Sequence, residues 1–87
     1  MANVKMYAVG KRERIGHIFS YYYDMAKNRM WKAEQESDEK AYQIYEKKCE
    51  KARRFFDIVQ GSGEVVYANG RDFADMRNAI SCYNLTH

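Results

Sequence analysis

The side chains of this chain that can do chemistry are mostly cations and aromatic rings. Lys11, Arg12 and Arg14 open one stretch, Lys27, Arg29 and Lys32 continue it, and Tyr21, Tyr23 and Trp31 lie among them. Basic groups hold phosphates by charge, and exposed rings stack on unpaired bases. Lys40, Lys47, Lys51 and Arg54 form a second basic stripe farther along. Scattered aromatics suit single-stranded or folded RNA better than a duplex groove. Two facts weigh against nucleic acid. Charged helix faces are ordinarily only solvated, and Glu46, Glu50 and Asp57 can neutralise part of the second stripe, for instance Glu50 with Arg54 at i,i+4. The pI of about 8.9 also falls just short of the values above about 9 common in nucleic-acid binders.

Other chemistry finds less support. His17 lies within helical reach of Glu13, Tyr21 and Asp24. An acid–base pair there needs a substrate pocket, and the residues around it supply none, so it reads as a surface histidine. His17, Cys49, Cys82 and His87 are the right ligand types for zinc, but none stands at a ligand spacing. No serine or cysteine sits in a nucleophile turn. Gly61-Ser62-Gly63 lacks the lysine and the following helix of a phosphate loop. The expectation is a protein that is not an enzyme, with no metal and no cofactor. Two cysteines make no disulfide framework, and Cys49 reads as a small hydrophobe in a helix seam.

The same aromatics support a competing class, a protein-binding module. Tyr21, Tyr22 and Tyr23 in succession point around more than half of a helix, so at least one faces away from the core. Trp31 beside Met30 does the same. Exposed Tyr, Trp, Met and Arg make up interface hot spots. A homodimer seam would use these residues too.

The element that must position all of this is the stretch 38–60. Its apolar residues Tyr42, Tyr45, Cys49, Ala52, Phe56 and Val59 recur at three or four, a single helical stripe that no strand could use. Glu39, Glu46, Glu50 and Asp57 fall on another flank, so the helix must lay its seam on a partner and leave its charges in water. The partner is 12–35, where Ile15, Phe19, Tyr22, Ala26, Met30 and Ala33 repeat in the same way; Gly16 weakens its first turn. The break at Glu36-Ser37-Asp38 offers an N-cap in Ser37 or Asp38, and so short a gap forces an antiparallel hairpin. Residues 4–9 read as a strand with Val4, Met6 and Ala8 on one face, and 64–68 as a second. Gly61-Ser62-Gly63 ends the second helix with residues able to take positive φ. After Asn69-Gly70 a short third helix, 71–82, turns Phe73, Met76 or Arg77, and Ile80 inward, with Asn69 or a neighbour as its cap.

The fold class is therefore α+β, in the order β-α-α-β-α. A long antiparallel helical hairpin packs with a small two-stranded antiparallel sheet and a short C-terminal helix. The 87 residues make one domain, 1–87, with little room for a deep core, so a dimer is a natural source of buried area. Two strands alone are marginal, and both have an edge free to pair with another copy. The absence of proline permits long uninterrupted helices. The net charge of +3 is an N-terminal property, since residues 1–35 carry seven Lys/Arg against three acidic residues.

No stretch resembles a signal peptide or a membrane span, so the expected location is cytoplasmic. Asn84-Leu85-Thr86 fits a glycosylation acceptor, but with no secretion signal it reads as chance. In general character (small, proline-free, aromatic-rich, without a catalytic signature) the chain is similar to accessory proteins by which bacteriophages and mobile elements block host enzymes or defence systems. That resemblance allows both readings at once, a small inhibitor that works through bound RNA; on the residues themselves RNA is the first expected partner, and an intracellular protein that the chain inhibits or tethers is the second.

Overall fold

The computed structural model describes residues 4–86. Its elements are β1 (Met6–Lys11), α1 (Arg12–Gln35), α2 (Glu39–Gln60), β2 (Val65–Asn69) and α3 (Gly70–Thr86). The order is the one expected. β1 and β2 pair antiparallel in a two-stranded sheet, and α1 and α2 form a closely packed hairpin. Among the described residues no helix is long and apolar enough to cross a membrane.

The hairpin turn is closed by its own three residues. Ser37 takes a left-handed φ of 55°. Its N–H donates to Glu34 O at 3.1 Å, and the Asp38 N–H reaches Ala33 O at 2.8 Å. Together these form a Schellman closure that satisfies the last carbonyls of α1. Asp38 then opens α2, its carboxylate accepting from the Ala41 N–H at 3.1 Å. Glu39 follows at the positive end of the helix dipole.

The other end of α2 departs from expectation. Gly61 keeps a right-handed φ of −79°, so no left-handed glycine ends the helix. Instead the Gly61 N–H donates to Asp57 O at 3.1 Å and the Ser62 hydroxyl donates to Ile58 O at 2.6 Å. The serine side chain satisfies a terminal carbonyl that a glycine turn would otherwise reach.

β1 begins two residues later than expected and runs on to Lys11. Met6 and Ala8 do share a face, but that face is open, as is Val4. The buried residue is Val9, which alternation places on the opposite face with Tyr7. A β-bulge shifts the register between Ala8 and Gly10, so that Gly10 and not Val9 stands opposite the buried Val66. Glycine fits there: a Cβ at Gly10 would lie 3.0 Å from Ile15 Cδ1.

The largest fully buried side chains are Phe19, Phe55, Ile18, Met76 and Val66. Phe55, not Phe56, is thus the buried aromatic of α2, and its ring lies 4.7 Å from that of Phe19. Phe55, Phe19 and Met76 join Val66 in one buried cluster fed by both strands and all three helices. Enclosure from several sides widens the buried arc of α2 beyond the single seam that facing α1 alone would need. Phe56 is half-buried, edge-on to Tyr23 at 6.0 Å. On α3, Met76 is buried and Arg77 exposed.

α3 is also one turn longer than expected, reaching Thr86. Asn69 caps its start, accepting from the Asp72 N–H at 2.8 Å. Tyr83 holds its end, packing edge-on against Tyr21 at 5.4 Å and His17 at 6.4 Å.

Candidate functional site

Of the six cations expected along the first helix, Lys11 ends β1 instead, and the other five do not share one face of α1. Arg14 and Lys32 stand eighteen residues apart, about five turns, and so occupy the same flank. Lys27 and Trp31 sit one turn apart on another flank, with Lys27 Nζ 5.0 Å from the Trp31 ring. Arg29 lies over Tyr45 at 5.8 Å, and its Nη1 donates to the Tyr45 hydroxyl at 3.4 Å. Lys11, Arg12 and Arg14 gather with His17 around an open depression at the start of α1, but Glu13 and Glu64 line it too, so its charge is mixed.

The tyrosine run resolves cleanly. Tyr22 is buried, Tyr23 is half-buried against Phe56, and Tyr21 is the exposed member at 41%. Of the three aromatics expected at the surface, Tyr23 is therefore occupied by core packing. Trp31 is half-exposed.

On α2 the basic stripe is real but divided. Lys40, Lys47, Lys51 and Arg54 recur at helical spacing, and Lys48 and the exposed Ile44 lie beside them. Arg54 is bound to Asp72 through two prongs, Nε to Oδ1 at 2.8 Å and Nη2 to Oδ2 at 3.1 Å. The hydrogen bonds and charge of Asp72 raise the Arg54 pKa above its ordinary value. Lys51 Nζ lies 3.8 Å from Asp75. Arg54 and Lys51 thus tie α2 to α3, and the partner of Arg54 is the buried Asp72, not Glu50. Lys40, Lys47 and Lys48 have no carboxylate partner among the described residues.

A cleft of about 420 Å³ opens between α1, α2 and the end of α3. Its chemistry comes from Tyr21, Tyr22, Tyr45 and Tyr83 with Arg29 and Lys48, and among the described residues no carboxylate lines it. Burial raises the Tyr22 phenol above its ordinary value, so it remains protonated at neutral pH. Cys82, exposed, stands in the cleft wall, while Cys49 is buried. A smaller hollow of about 190 Å³ shares Tyr22, Lys48 and Cys82 with the cleft and reaches Lys51 and Asp75.

Sequence reasoning missed this cleft. Tyr45 and Lys48 stand three apart on α2, and Tyr22, Met25 and Arg29 at three and four on α1, which places each set on one flank. The third wall comes from the last turn of α3, which the sequence reading left out.

Among the described residues no group of three or more His, Cys, Asp or Glu side chains is placed to hold a metal ion. His87 lies outside the described residues. No protein-family model matches the chain, and neither a curated protein nor a solved structure shows significant similarity to it.

Proposed function

We propose that this protein is a small non-enzymatic binder of single-stranded nucleic acid, RNA foremost. The observation that supports this is a juxtaposition. Lys48 lines a tyrosine-bearing cleft that has no carboxylate among the described residues, and Lys40 and Lys47, likewise without a carboxylate partner among them, stand on the exposed face of the same helix. Ammonium groups hold a phosphate backbone and aromatic rings take unpaired bases, which RNA presents in loops and ends. Arg14 and Lys32 on α1 extend the same positive field, whereas Arg54 and Lys51 serve to hold α3 in place. A cytoplasmic, phage-type accessory inhibitor acting through bound RNA fits this reading.

A protein partner is the second reading, favoured by the half-exposed Trp31 and Ile44, at 50% and 48%. Self-association belongs with either reading, since Met6 and Tyr67 leave the outer face of the sheet open.

The test is fluorescence anisotropy with a labelled ten-nucleotide RNA across a salt series. Neutralising Lys40 and Lys47 to Gln should weaken binding by tenfold or more. It should also reduce the salt slope by about 1.4, at roughly 0.7 per lost single-strand phosphate contact. Binding that ignores salt, or no binding at all, would turn the assignment toward a protein partner, and a preference for duplex would overturn the single-strand reading.

A further inference from the structure

We infer that the cleft between α1, α2 and the end of α3 holds one unstacked nucleotide of a bound single strand, its base among the tyrosine rings and its phosphate between Arg29 and Lys48. This rests on the function proposed above and names the subsite that reads a base. The volume of about 420 Å³ lies in the range of small-ligand sites, roughly 300–1,000 Å³, and suits one ring system with its sugar.

The lining chooses among occupants. Rings from three helices line the cleft, Tyr21 and Tyr83 packed edge-on to each other and Tyr45 beneath Arg29, and the apolar ring surface turned to the cleft suits the flat face of a base. Among the described residues the charged groups of the lining, Arg29 and Lys48, are both cations, which favours an occupant with negative charge beside its flat ring. A purely apolar guest would cover a half-buried Lys48 and leave it without an anion, a costly arrangement. An acidic side chain would satisfy the cations and leave the rings unused. A nucleotide answers both requirements.

The surroundings agree with a strand rather than a free nucleotide. Lys47 adjoins Lys48 in sequence, and Lys40 lies about 12 Å farther toward the hairpin turn at 1.5 Å per residue. A strand leaving the cleft in that direction meets further ammonium groups. In the opposite direction Lys51–Asp75 and Arg54–Asp72 neutralise the path.

Cys82 provides the readout, because it stands in the cleft wall and is exposed, while Cys49 is buried. The intact chain is labelled with a chromogenic disulfide reagent in the presence of adenosine 5′-monophosphate, adenosine, inorganic phosphate or the ten-nucleotide RNA. The expected result is that the RNA slows Cys82 labelling at least fivefold at saturation. The monophosphate should slow it at millimolar concentration, and adenosine or phosphate alone should do so much less. Arg29→Gln should remove protection by the monophosphate and weaken RNA binding about tenfold. Arg29→Lys, which keeps the charge, should retain most of both, and both variants should keep the parent circular dichroism.

RNA that binds with its Lys40 and Lys47 dependence intact, yet leaves Cys82 labelling unchanged, overturns the cleft assignment and leaves the proposed function standing. Protection by the monophosphate with no RNA binding at all overturns both, and makes the cleft a site for free nucleotides.

Discussion

The two ends of the α1–α2 hairpin are built on different principles. At the base, Phe19, Phe55 and Ile18 are sealed among the sheet, α3 and each other in one buried cluster. At the turn end only two helices meet. Ala33 is buried there, and Ala26 and Cys49 toward the middle, but all three lie outside that cluster, and Tyr42, Tyr45 and Met30 are only half-buried. Small side chains let the two backbones stay close, while the Schellman closure and the Asp38 cap fix the turn. Apolar burial therefore stabilises the base, and local hydrogen bonding defines the tip. The proposed interface lies along the junction and toward the tip, where Lys40, Lys47 and Lys48 stand outside that core.

The sharpest way to break that contrast is to remove one buried ring from the base. Phe55→Ala should cost about 3–5 kcal/mol, from lost transfer energy and the cavity left behind. Against a total stability of roughly 5–15 kcal/mol for a domain, that is enough to leave a large unfolded fraction. Tyr42→Ala at the tip removes a half-buried ring and should cost only about 1 kcal/mol. Urea titrations followed by circular dichroism separate the two. Equal costs would mean that the hairpin is one uniform seam.

A smaller change, of opposite sign, probes the tip. Ser37 occupies a left-handed position with a side chain that disfavours it. Ser37→Gly should therefore raise stability by about 0.5–1 kcal/mol, part of the relief being offset by added freedom in the unfolded chain. The measurement is the thermal midpoint, together with amide exchange of the Ser37 and Asp38 N–H groups, which should slow. A lower midpoint would show that the turn does not rely on that backbone conformation.

The same contrast explains what the sequence could and could not disclose. Along the tip and middle of α2, spacing alone identifies Tyr42, Tyr45, Cys49 and Ala52, because one helix facing one partner needs one stripe. At the base it favours Phe56 over Phe55 and passes over Ile18, because enclosure by strands and α3 widens the buried arc, and periodicity carries no information about that. The Asp38 and Asn69 caps are legible because capping is local, decided within three residues. The Arg54–Asp72 pair is not, since it joins residues on two helices whose relative placement is a tertiary fact. The cleft was hidden for the same reason, together with the missed last turn of α3 that brings Tyr83 to it.

The smallest effect locates the boundary between the two regions. Cys49 and Tyr22 are both buried near the middle of the hairpin, and burial raises each above its ordinary value, 9.0 for the thiol and 10.0 for the phenol. For Cys49 the nearby Arg53 and Lys27 charges oppose that rise without reversing it. A raised folded pKa means that the unfolded chain releases its proton first. The stabilising contribution is therefore complete below the ordinary value and is lost as pH climbs past it. Stability should fall from about pH 9 upward through Cys49, and further above about pH 10 through Tyr22. Lysines and the exposed tyrosines titrate in the same region, so the informative quantity is a difference between proteins. Cys49→Ala should lower stability at neutral pH yet show a shallower decline between about pH 8.5 and 10 than the parent. Tyr22→Phe should separate from the parent only above that interval. Curves that stay parallel to the parent throughout would mean that water reaches both groups, and that the sealed base ends before the middle of the hairpin.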